Sequence, residues 1–150
     1  MQSTKQLDQF NGTPEAVETA RLLAHTLPIM VTRVIISGPS VGTALLFGMI
    51  EADSGIGDHV RRFGVSDSTT VDEIKAFFAE ARQVEEAVVC VSEVEPIKSG
   101  ETVCALLAEL DEPTNREISV FLLTRTPVDQ LDIAWRRRFL LDIQLEYSSS

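Results

Sequence analysis

The chain has 150 residues, of which 44% are hydrophobic and 24% charged, and it carries a formal net charge of −10. That length suits one domain with a full core. No apolar run approaches the roughly 18 residues of a membrane span, and residues 1–9 are polar, without the apolar heart of an export signal, so a cytoplasmic location is expected. The charge imbalance lies in residues 51–117, which hold sixteen acids and six bases. Outside Arg136, Arg137 and Arg138 no cluster of cations offers the counterion release on which nucleic-acid binding depends, so neither nucleic acid nor membrane is an expected partner. The acidic middle reads either as a solvated surface or as a docking face for a basic partner.

The elements follow in chain order. Residues 14–27 read as a helix capped by Thr13, with Pro14 in its first turn and Val17, Ala20, Ala24 and Leu27 on one face. Residues 31–37 are a strand built on Val34, Ile35 and Ile36. A turn over 38–42 leads to a second helix from Thr43 to about Ala52, apolar almost all round. A loop over 53–58 precedes a short polar strand at 59–65. Capping residues at 66–69 open a helix over 70–83, with Val71, Ile74, Phe78 and Ala81 inward. A buried strand at 87–92 is followed by a helix over 99–110, with Val103, Leu106, Leu107 and Leu110 at helical spacing. A strand at 117–124, a short helix at 127–137 and a strand at 139–147 complete the order, and 148–150 reads as a loose tail. Alternation of strands and helices predicts a parallel sheet covered on both faces. The continuous apolar runs belong to central strands, and the polar or alternating second and fifth strands belong to edges. Cys90 and Cys104 both read as small core residues, and with only His25 and His59 elsewhere no zinc site is expected.

Three places are candidates for chemistry. The first is the turn after the first strand, the setting of a phosphate-binding loop of the form G-x-x-x-x-G-K-[ST], whose amides cradle phosphate and whose lysine neutralises it. Counted from Gly38, Thr43 stands at the second glycine, Ala44 at the lysine and Leu45 at the hydroxyl residue. Sliding the frame to Gly42 and Thr43 shortens the loop and still supplies no lysine. The segment reads as a tight strand-to-helix turn. The second place is the end of the third strand, where a nucleotide hydrolase needs an acidic pair for metal and water. Ser92 occupies the first position and Glu93 the second. The third place is Arg136, Arg137 and Arg138, which read either as a solvated helix end or as a source of an arginine projected into a neighbour's site. Trp135 reads as packing its helix onto the sheet. No nucleophile–base triad is present.

From about Val31 to Tyr147 the chain resembles the AAA+ core of bacterial DNA polymerase III clamp-loader subunits, of the delta-prime and gamma/tau type. The run Ala105-Leu106-Leu107-Ala108-Glu109-Leu110-Asp111-Glu112-Pro113 is similar to that family's helix end. Val71-Asp72-Glu73-Ile74 looks like its helix start, Val88 to Glu93 resembles its Walker B strand, and Phe121-Leu122-Leu123-Thr124 with Pro127 resembles its sensor 1 strand. Arg137 falls near the finger arginine, and the stretch from Leu131-Asp132 to Phe139 also looks like other AAA+ proteins. The resemblance implies a three-layer αβα, P-loop NTPase-like fold with a five-stranded parallel sheet in the order 5-1-4-3-2. One domain over 1–150 is expected, and it departs from the family in lacking the lid and collar that would follow Tyr147. Gly38, Gly42, Thr43, Ser92, Glu93 and Thr124 become remnants of a nucleotide site, and Arg125 beside Thr124 departs from the pattern. The expectation is a pseudo-ATPase without cofactor or metal, whose partner is a protein of AAA+ or replication type rather than a small-molecule nucleotide. A decoy that mimics a clamp-loader subunit and a weak ATPase are the alternatives.

Overall fold

A computed structural model describes residues 6–93 and 97–145. Five helices, α1 (Pro14–Thr26), α2 (Ser40–Ser54), α3 (Val71–Ala81), α4 (Gly100–Asp111) and α5 (Ile133–Arg136), alternate with five strands. The strands are β1 (Arg33–Ser37), β2 (Val60–Val65), β3 (Val88–Glu93), β4 (Ser119–Thr124) and β5 (Leu141–Gln144). They form one parallel sheet in the order β2-β3-β4-β1-β5, the order expected. Residues 146–147 of the expected last strand and the proposed tail at 148–150 lie outside the described residues.

Strand composition sets strand position. All six residues of β4 are buried, as are four of five in β1, whereas β2 is buried only at its end residues Val60 and Val65 and β5 only at Ile143, as suits edge strands. Side chains alternate across the pleat, so each central strand feeds two cores. Val34, Ile36, Cys90, Phe121 and Leu123 point to one face, where α1 and α2 contribute Ala20, Leu23, Phe47 and Ile50. Ile35, Val89, Val91, Val120 and Leu122 point to the other, against Ile74, Phe78, Leu106 and Trp135 of α3, α4 and α5. Phe47 and Phe121 meet edge to face, with centroids 5.0 Å apart. Burying each such ring contributes about 2–3 kcal/mol.

Local chemistry fixes the helix starts. The Thr13 hydroxyl accepts from the Ala16 amide at 3.2 Å and the Ser99 hydroxyl from the Thr102 amide at 3.3 Å. Thr70 and Glu73 form a reciprocal capping box. The buried stripe of α1 is Ala16, Ala20 and Leu23, with Leu27 just beyond; Val17 and Ala24 flank it half-buried. Three other readings are corrected. Cys104 is exposed, because 101, 104, 108 and 111 form the outward stripe of α4, while Cys90 is buried. The helix over 127–137 is two pieces, a 3-10 turn at Val128–Gln130 and then α5. The Asp132 carboxylate accepts from the Ala134 amide at 2.8 Å and starts a new helix there. Finally, the loop over 53–58 is largely helical. α2 runs to Ser54 and ends on Gly55 in the left-handed conformation (φ 70°). Asp53 then holds the amides of Gln6 and Leu7, both at 2.8 Å, and ties the N-terminal turn to α2.

Candidate functional site

The carboxyl ends of β2, β3 and β4, with the first turns of α2, open on a cavity of about 400 Å³. Its lining brings together four residues singled out in the sequence, Thr43, Ser92, Glu93 and Thr124, with Ser40, Ala44, Phe47, Arg62 and Arg125. Gly38 and Gly42 lie outside that lining.

The turn into α2 is shorter than its sequence suggests. β1 ends at Ser37 and α2 begins at Ser40, so only Gly38 and Pro39 connect them. Pro39 supplies a fixed φ of −57° at the cap position, and the Thr43 amide already donates to the Pro39 carbonyl at 2.9 Å. The stretch that would wrap a phosphate is therefore the first turn of a helix. Both glycines have another use. Gly38 has φ of 150°, a region nearly reserved for glycine, and a Cβ there would lie 2.7 Å from the Leu145 Cβ. A Cβ on Gly42 would lie 3.3 Å from Leu145 Cδ1. The glycines admit an apolar side chain from the end of β5. The Gly38 amide is also committed, donating to the Thr124 carbonyl at 3.0 Å. Thr43 is buried and turns its hydroxyl back to the Ser40 carbonyl at 3.0 Å. No side chain caps the first turn of α2, so the amides of Ser40, Val41 and Gly42 form an uncapped helix N-terminus.

Across the cavity, the Thr124 hydroxyl donates to Glu93 Oε2 at 2.8 Å and accepts from the Thr126 amide at 3.0 Å. Burial pushes the Glu93 carboxyl above its usual range, while the bond from Thr124 and the charge of Arg125 oppose that shift. Strand alternation puts Glu93 and Thr124 on the α3–α4 side of the sheet and Ser92 on the α2 side, and all three line the cavity. Cys90 also lines the cavity, and burial lifts its thiol to about 12, which leaves it unreactive.

Of the two cations of the mouth, the sequence marked Arg125 beside Thr124 but gave no sign of Arg62. Arg62, on β2, lies over the Phe47 ring at 5.3 Å from its centroid and pairs with Glu51 near the end of α2. Arg125 follows β4 directly. Only the sheet order, which sets β2 beside β3, places Arg62 here. Both are guanidinium groups on the strand side, whereas a triphosphate asks for an ammonium at the helix start. With Ala44 at that place, and Glu93 bonded to Thr124, the donor set does not match a magnesium–triphosphate.

Arg137 forms the end of α5 and is exposed. Its neighbour Arg138 is committed to Asp111, donating from Nε at 2.8 Å and Nη2 at 2.7 Å, and to the Ala134 carbonyl at 2.6 Å. Trp135 is buried among Phe78, Leu106 and Leu122, as a packing residue should be.

Comparison with known proteins gives this architecture its place. A Thermotoga maritima RuvB structure, described as a Holliday junction branch migration motor, is similar with a TM-score of 0.70 and 16% identity. It matches over 95% of this chain and 48% of that one. Katanin is similar with a TM-score of 0.67 and 22% identity, over 95% and 54% of the two chains, and C. elegans PCH-2 with 0.66 and 16%, over 93% and 45%. At these identities the likeness is one of fold, and the chain spans about half the length of those structures. Among curated protein sequences none matches. No helix among the described residues is long and apolar enough to cross a membrane. The family model for the ATPase family associated with various cellular activities matches residues 19–147, and the chain belongs to that AAA family.

Proposed function

We propose that this chain is a non-catalytic AAA+ interaction subunit, related to DNA-replication clamp-loader assemblies. It works by packing against another AAA+ or replication protein, to which it presents Arg137. One observation carries the reading. The two-residue connection at Gly38 and Pro39, with Leu145 seated against it, takes the room of a phosphate-wrapping loop, while the sheet and both cores remain complete. Loss of one group that stabilises a transferring phosphoryl costs on the order of 10²–10³ in rate. Here Ala44 and Ser92 stand where a lysine and an aspartate belong, so two such losses combine. The run from Ala105 to Pro113 supports the clamp-loader relationship. Affinity purification followed by mass spectrometry tests it. An AAA+ or replication subunit should co-purify in fixed stoichiometry, and Arg137→Ala should lower that partner's ATP turnover while the complex still forms. A partner whose turnover ignores Arg137→Ala contradicts the trans role.

A second reading, a weak ATPase, draws on the uncapped amides at the start of α2 and on the Glu93–Thr124 pair. It requires phosphate release from the purified chain that disappears in Glu93→Gln.

A further inference from the structure

The amino ends of the strands, opposite the mouth, carry a second surface. Between α1 and β1 three consecutive apolar residues stand in solvent: Ile29 is 79% exposed, Met30 61% and Val31 43%. Single exposed apolar side chains are ordinary, but an unbroken ridge of them beside a hollow is not. The hollow, of about 560 Å³, lies between the segments that precede β1, β3 and β4. Ile29, Val31 and Ile118 give it an apolar side, and Glu85, Glu86 and Glu117 an acidic one. The cation in its lining, Arg82, already donates to Asn115 Oδ1 at 2.7 Å and lies 3.7 Å from Glu109. Glu86 is held in the left-handed conformation (φ 52°), unfavourable for a residue with a Cβ.

We propose that this base is a docking surface for a basic polypeptide segment of a partner protein. The segment's apolar side chains cover residues 29–31, and its Lys or Arg side chains meet Glu85, Glu86 and Glu117. Charge complementarity selects that occupant. A second copy of the chain is disfavoured, because a two-fold interface sets the same patch against itself and would bring these acids together. Nucleic acid is disfavoured by the same charges. A solvated acidic face accounts for the glutamates but leaves the apolar ridge unexplained. The surface lies at the far end of the sheet from the nucleotide mouth, so the proposal holds whatever that mouth binds.

Fluorescence anisotropy with a labelled amphipathic Leu/Lys peptide of about 15 residues tests it, beside a Lys/Ser peptide of equal charge. At roughly 0.15 M salt the Leu/Lys peptide should bind about tenfold more tightly than the Lys/Ser peptide. Glu85→Gln with Glu117→Gln, and separately Met30→Ser, should each weaken it about tenfold. Asp72→Asn with Glu101→Gln removes equal charge at the starts of α3 and α4 and should change binding less than about twofold. Glu86→Gly removes a charge and relieves the backbone, so it should weaken binding while raising the urea midpoint. No binding of the Leu/Lys peptide, or equal loss from the Asp72 and Glu101 pair, overturns the proposal. So does a wild-type dimer in sedimentation that Met30→Ser disperses, since the ridge would then belong to a second copy.

Discussion

The two ends of this sheet treat charged groups in opposite ways. At the base, the Arg33 guanidinium donates to three main-chain carbonyls, Leu110 at 3.0 Å, Asn115 at 3.1 Å and Ile118 at 3.3 Å. Asn115, fully buried, accepts from Arg82 and donates to the Glu109 carbonyl at 3.0 Å and to Glu109 Oε1 at 3.1 Å. The turns between α4 and β4 are thereby stapled to β1 and α3. At the mouth, by contrast, α2 starts without a side-chain cap, and Glu93 is half-buried against the Thr124 hydroxyl and the charge of Arg125. Each end also holds one buried hydroxyl without a partner among the described residues, Thr32 at the base and Ser37 at the mouth. A polar network stabilises only when its members are satisfied. The base is built as scaffold, and the mouth retains polar groups whose arrangement the fold does not require.

The contrast can be broken at either end. The largest effect should come from Asn115→Ala, which removes the acceptor of Arg82 and the donor to both Glu109 oxygens, leaving only the looser Arg82–Glu109 pair at 3.7 Å and the Glu112 amide on the Glu109 carbonyl. It should cost about 3 kcal/mol in urea unfolding, and a cost below about 1 kcal/mol would show that the hub is not a staple. Gly38→Ala comes next. It strains a backbone reserved for glycine and drives a Cβ into Leu145, for about 2 kcal/mol, and Leu145→Ala in the same chain should recover part of that loss. If Gly38→Ala is neutral, the close seating of Leu145 on the turn is wrong. Thr124→Val removes the hydroxyl shared by Glu93 and the Thr126 amide and should cost about 1 kcal/mol.

Sequence legibility differed between the same two regions. Which strands are central and which are edges was readable, because burial on both faces demands unbroken apolar runs, as in Val88 to Val91 and Val120 to Leu123, while Arg61 and Arg62 mark an edge; the order of the central three came from the resemblance to the AAA+ core. The base hub was not readable, since Arg33 and Asn115 are 82 positions apart and meet only through the fold. At the mouth, the residue types at 43, 44, 92 and 93 were visible, but the start of α2 was not. Gly42 signals a turn in sequence, yet the structure uses it inside a helix to admit Leu145. Cys104 misled for a related reason: a small apolar residue in an apolar stretch carries no sign of which helix face it occupies.

The smallest expected effect concerns Glu93 and pH. Its carboxyl is raised, chiefly by burial, so the folded chain holds a proton that the unfolded chain has released. Stability from this group therefore falls as pH rises from the unfolded value through the raised folded one. Asp67 is held low mainly by the Ser99 amide and Asp111 by Arg138, and both slope the opposite way, so the informative quantity is the difference between wild type and variant. Glu93→Gln should match wild type near pH 4 and unfold at higher urea than wild type near pH 7. A variant weaker than wild type at pH 7 would mean that Glu93 is stabilised in its charged form.

The central claim is that the two-residue turn and Leu145 leave the mouth unable to seat a magnesium-bound triphosphate. Isothermal titration of the purified chain with ATP and magnesium measures this directly. The account predicts no binding heat at ATP concentrations up to about 1 mM, whereas a dissociation constant tighter than about 100 μM, lost on adding bulk at Gly42, would contradict it.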